Sequence, residues 1–137
     1  MNRVIYTERK RFAKYDNNRY IVYLDEEIIT GYVPEVMDGQ PEPEPVTAYA
    51  YTGTEKDGGT LIEATSPDRD SLINGIIRAN YTQSEEDAIK THQIELLRDP
   101  DIEKADSYNQ EWIAFNEIRE KAKSTVDGWM SEKLIMR

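Results

Sequence analysis

The chain has 137 residues, no cysteine, one histidine and a formal net charge of −10. That length suits one domain with a modest core, and the missing cysteines exclude disulfides, thiolate nucleophiles and Cys-ligated zinc. No apolar run approaches the roughly 20 residues that cross a bilayer, and Met1-Asn-Arg-Val-Ile-Tyr6 lacks the continuous apolar segment of a secretory signal.

The charge is unevenly spread. Residues 1–20 hold six basic and two acidic groups, residues 21–70 hold two and twelve, and residues 71–137 hold nine and thirteen. An acidic middle repels phosphate backbones, so nucleic-acid binding is not expected. The basic start (Arg3, Arg9, Lys10, Arg11, Lys14 and Arg19) reads as a solvated strand face that balances acids elsewhere.

Residues 1–36 read as β-rich. Val4-Ile-Tyr6 and Phe12-Ala-Lys-Tyr15 precede Asp16-Asn17-Asn18, residue types that tolerate the left-handed backbone of tight turns. Arg19–Leu24 is aromatic and β-branched, which completes a hairpin. Another strand, Ile28–Val33, follows a turn at Asp25-Glu26-Glu27. Residues 37–45 form a Pro-rich loop in which alternate prolines remove backbone donors and favour an extended, solvated chain.

Val46–Thr52 and Thr60–Ala64 alternate in the strand manner, and Lys56-Asp57-Gly58-Gly59 between them predicts a β-hairpin over 46–64. A phosphate-cradling loop is excluded by the absence of a Gly-Lys-Ser/Thr ending and by the flanking acids Glu55 and Asp57.

Residues 66–130 read as helical. Ser66-Pro67 has the form of a cap followed by a first-turn proline. Leu72, Ile73, Ile76 and Ile77 make one apolar stripe on a helix that ends near Ala79-Asn80. Gly75 weakens this helix and marks a close backbone approach. Thr82-Gln-Ser-Glu85 forms a capping box, with Ser84–Asp87 as a second register, and Glu85, Glu86 and Asp87 read as a solvated helix start. Asp99-Pro100 reads as the cap of the last helix, whose stripe Ala105, Tyr108, Trp112, Phe115, Ala122, Val126 and Trp129 is heptad-like. That stripe suits either a core or homo-oligomeric pairing. The tail Leu134–Arg137 either extends the helix or frays beyond Gly128.

No constellation carries catalysis. His92, the single histidine, excludes two-histidine metal sites within one chain and reads as a packed helix residue beside Ala88 and Leu96. Asp99, Asp101 and Glu103 alternate like the opening of a calcium loop, but Lys104 and Gln110 stand where such a loop needs glycine and a bidentate glutamate. The serines lack a nucleophile elbow and a partnered base. The tyrosines serve strand packing. The expectation is therefore no catalytic, cofactor-binding or metal-binding residue.

The run Tyr51–Ala64, with Ile73-Asn-Gly-Ile-Ile-Arg-Ala-Asn-Tyr81, Glu86-Asp-Ala-Ile-Lys90 and Trp112-Ile-Ala-Phe115, resembles a group of small phage and prophage proteins of gut Bacteroides-like bacteria. The Ile-Arg-x-x-Tyr motif before an acidic Glu-x-Ala-Ile is similar to that of tail-associated prophage proteins, with Thr82 in place of the usual serine. The resemblance spans residues 51–129 and leaves the N-terminal strands out. It implies a phage structural or tail-assembly protein, located in the host cytoplasm or the virion, whose partner is another phage structural or assembly protein. It transfers no catalytic residue.

The expectation is a single α+β domain: an N-terminal antiparallel sheet followed by three helices packed on it. Its function is expected to be non-enzymatic and to work through protein contacts, without membrane or nucleic acid. The alternative is an acidic DNA mimic that inhibits a host nucleic-acid-binding enzyme.

Overall fold

Six strands precede three helices, as the switch from two-residue to helical periodicity near Ala64 predicts. The elements are β1 (Asn2–Tyr6), β2 (Phe12–Lys14), β3 (Arg19–Val22), β4 (Glu27–Tyr32), β5 (Val46–Gly53), β6 (Thr60–Glu63), α1 (Arg69–Asn80), α2 (Gln83–Arg98) and α3 (Ala105–Ile135). The structure, a computed structural model, describes residues 1–135, with side chains through residue 131. The chain is α+β. It divides into two compact units, Met1–Leu61 and Ile62–Arg137, so that β6 begins in one and ends in the other.

In the first unit, β1, β5 and β4 form an antiparallel sheet with β5 in the centre, while β2 and β3 pair in a second sheet that β6 joins. The β2–β3 hairpin forms as expected, but its turn works differently. Asp16 accepts from the Asn18 N–H at 2.9 Å, and its carboxylate pairs with Arg19 at 2.7 Å. The only non-glycine residue described with positive φ is Asp25, at 55°. A side-chain cap therefore replaces the left-handed asparagines.

The hairpin expected over 46–64 is corrected. The turn is present, with Glu55 and Gly59 joined by a backbone hydrogen bond of 2.9 Å, yet β5 and β6 lie in different sheets. The turn is closely packed on both sides. A Cβ on Gly53 would lie 2.2 Å from the Gly59 carbonyl oxygen, and one on Gly59 would lie 2.6 Å from Ile21 of β3. Asp57 holds the turn: its carboxylate accepts from the Gly59 N–H at 2.9 Å and from the Tyr23 hydroxyl at 2.8 Å. The Tyr6 hydroxyl donates to its carbonyl.

Tyrosines fill this unit. Tyr51 is fully buried, and its ring packs against Tyr6 and Tyr23 with centroids 6.3 and 5.7 Å away. Its hydroxyl donates to Glu26 at 2.7 Å and accepts from the Lys10 N–H at 2.9 Å. Arg9 pairs with Glu26 at 2.7 Å and Arg3 with Glu27 at 3.0 Å, so part of the basic start does balance acids within the fold.

In the second unit the cap of α1 is corrected from Ser66 to Asp68. The Asp68 carboxylate accepts from the Ser71 N–H at 2.8 Å, and Ser66 donates to Asp68. Pro67 thus precedes the cap. The Thr82–Glu85 capping box forms in full, each bond 3.1 Å. Asp99 ends α2 through its N–H to the Glu95 carbonyl, rather than capping α3, which starts at Ala105. Gly75 marks a close approach as expected: a Cβ there would lie 2.8 Å from the Glu63 carbonyl oxygen.

Helix α3 packs on α1 and α2. Phe115, Ala122, Val126 and Trp129 are buried within the single chain, and Trp112 is half-buried. The stripe that suited either a core or a second copy is used as core. Helix α3 continues past Gly128 to Ile135, while Met136 and Arg137 lie outside the described residues.

Candidate functional site

Two features offer chemistry. The first is a cleft of about 360 Å³ wholly within the helical unit. Trp112, Phe115, Arg119 and Lys123 follow one another at steps of three and four, which places them on one face of α3. Ile73 and Ile77 of α1 add apolar wall, and Arg69, Arg78 and Lys90 bring further cations from α1 and α2. The lining carries five basic residues against two acids, Asp70 and Glu86, in a chain of net charge −10.

Glu86 organises this cleft. It was expected as part of a solvated helix start, but its exposure is only 8%. Arg78 and Lys90 each reach one of its oxygens at 2.7 Å. The Lys90 hydrogen bond, joined by Arg78, outweighs burial and holds its carboxyl below the usual glutamate range. Arg78 also donates to the Tyr81 carbonyl, tying the end of α1 to the start of α2. Sequence reasoning missed Glu86; the signal was its spacing of four residues from Lys90, which places the two on one helix face.

The remaining cations differ in how firmly they are held. Arg69 pairs with Asp127 at 2.6 Å, whereas Lys123 has a 3.4 Å contact with Glu120 on its own helix. Arg119 is exposed and makes no hydrogen bond or ion pair with the described residues.

The second feature is the free side of β4, an edge strand of the first unit. Ile28 is 58% exposed and Met37, in the following loop, 76%; Val33, Val36 and Val46 are exposed too. No lysine or arginine occurs between Arg19 and Lys56, a stretch holding eight acids. Gly31, with φ of 68°, sits where the β4–β5 register shifts, so the strand bends after Ile29.

Residues weighed for catalysis or metal binding have other placements. His92 stacks on Tyr108 with ring centroids 3.9 Å apart, and its Nδ1 meets the Glu111 carboxylate, which ties α2 to α3. Asp99 accepts from the Asp101 N–H at 3.2 Å. Ser66 and Ser71 both bond to Asp68, whose carboxyl these bonds hold below the usual range, so it serves as a cap and is a weak base. Among the described residues no three metal-ligating side chains converge, and no helix is long and apolar enough to cross a membrane.

No protein-family model matches the chain, and comparison with curated proteins and with solved structures returns no match.

Proposed function

We propose that the protein is a non-enzymatic binding protein of a phage or prophage, acting in tail or virion assembly by holding a basic, extended segment of another structural protein. The observation that carries this reading is the β4 edge: Ile28 exposed on a sheet-edge strand, with Val33, Val36 and Met37 exposed in the segment that follows, in a stretch without one basic residue. An added strand would gain backbone hydrogen bonds from β4, apolar contact from Ile28 and Met37, and attraction from Glu35 and Asp38 for its lysines or arginines. The setting comes from the resemblance over residues 51–129. The acidic DNA mimic draws on the same stretch, but Glu26 and Glu27 are committed to Arg9 and Arg3, which leaves fewer carboxylates for a basic enzyme cleft.

The test is site-specific photocrosslinking from position 28 of the full chain in an induced prophage lysate. The expected result is a virion or tail protein joined through a Lys- or Arg-rich segment, lost in Ile28→Glu and weakened by added salt. Absence of any virion protein from the crosslinked species, or capture unaffected by Ile28→Glu, would overturn the reading.

A further inference from the structure

We propose that the cleft between α1, α2 and α3 binds a small phosphate monoester carried on a flat apolar body, of the size of a nucleoside monophosphate. This site is separate from the β4 edge and stands whether or not that surface has a partner.

Charge accounting within the cleft leaves a positive surplus. Asp70, the second lining acid, has a 93% exposed side chain and shares Arg69 with Asp127. Arg78 and Lys90 share one carboxylate, that of Glu86, which leaves one surplus positive charge. Arg119 supplies another, since it has no partner among the described residues. Lys123, one turn further along α3, has a 3.4 Å contact with Glu120 and a charge interaction with Asp127, and can turn toward a stronger anion. A phosphate monoester carries a charge of about −1.5 to −2 near neutral pH, so it draws more strongly on these cations than a carboxylate does. Guanidinium groups also match phosphate oxygens with paired donors. Concave walls concentrate this local field, so the overall negative charge of the chain does not cancel it.

The walls select the organic part. Phe115 is 2% exposed and its ring lies 6.1 Å from that of Trp112, which is half-buried and lines the cleft. Ile73 and Ile77 line the same space. A flat ring against Trp112 would bury apolar area, while Arg119, two turns further along the same helix face, would meet the phosphate, with Lys123 one turn beyond it. A volume of about 360 Å³ lies in the range of small-ligand sites.

The test is calorimetric titration of the full chain with adenosine monophosphate, adenosine and inorganic phosphate, with tryptophan fluorescence as second readout. Adenosine monophosphate is expected to bind saturably, to perturb tryptophan emission and to weaken with added salt. Arg119→Gln is expected to weaken binding about tenfold without changing Tm, because Arg119 is exposed and makes no hydrogen bond or ion pair with the described residues. Trp112→Leu should weaken the nucleotide and leave inorganic phosphate unaffected. Adenosine binding as tightly as its monophosphate would overturn the phosphate assignment, and inorganic phosphate binding as tightly as the nucleotide would overturn the flat body. No saturable binding below millimolar concentration, or an Arg119→Gln variant indistinguishable from the parent, would overturn the site.

Discussion

Three glycines and one tyrosine separate what a residue costs from what it enables. Gly128 lies inside α3, exposed, with no atom within 4 Å of the place a Cβ would take. Gly128→Ala is therefore expected to stabilise the protein by about 1 kcal/mol in urea unfolding, because alanine restricts the unfolded chain and favours helix. Gly75 is also helical, but a Cβ there would press on the Glu63 carbonyl and on Ile62. Gly75→Ala should lower Tm even though it raises helix propensity. At Gly53 the obstruction is the Gly59 backbone itself, which a flexible side chain cannot relieve by moving. Tyr51 shows the cost of a buried polar group: Tyr51→Phe leaves Glu26 and the Lys10 N–H each short of a partner and is expected to cost about 1–2 kcal/mol. Gly75 was legible in the sequence as a helix-weakening residue that needs a reason. Gly53 was not, because the obstacle it avoids lies on another stretch of chain.

At the scale of elements, local chemistry set the helix ends where a side chain could satisfy a nearby N–H. Thr82 and Glu85 do so reciprocally, and Thr82→Ala should destabilise α2 by about 1 kcal/mol in chemical denaturation. Two starts moved for the same reason. Asp68 reaches the Ser71 N–H from three residues away, so α1 starts after it and not at Pro67. The Asp99 N–H is taken by the end of α2, which leaves α3 to begin at Ala105. Glu86 was the largest departure, since its neighbours in sequence are exposed acids and its partner Arg78 comes from another helix. Glu86→Gln keeps the shape and removes the charge that joins Arg78 and Lys90. It is expected to cost about 2 kcal/mol in urea unfolding, with Thr82→Ala as a comparison confined to one helix.

For the whole molecule, the direction of the carboxyl shifts predicts how stability depends on pH. Glu26, held down by Arg9, and Glu86, held down by Lys90 and Arg78, both ionise more readily in the folded chain than at the ordinary glutamate value of 4.5. A depressed folded pKa contributes stability that is fully present above the unfolded value and is lost as pH falls through the folded one. Thermal unfolding should therefore show a Tm that is level in this respect above about pH 5 and falls as pH drops below about 4; the Glu86→Gln variant should show a shallower fall. By itself, the sequence determined the α+β class, the segment types and the absence of cysteine chemistry, because periodicity, turn residues and composition act over a few residues. The tertiary structure decided that β6 leaves β5 for the sheet of β3, that Glu86 is buried, and that Arg78, Lys90, Arg119 and Trp112 border one cleft. Strand pairing and charge convergence depend on which distant segments meet, and no local pattern encodes that meeting.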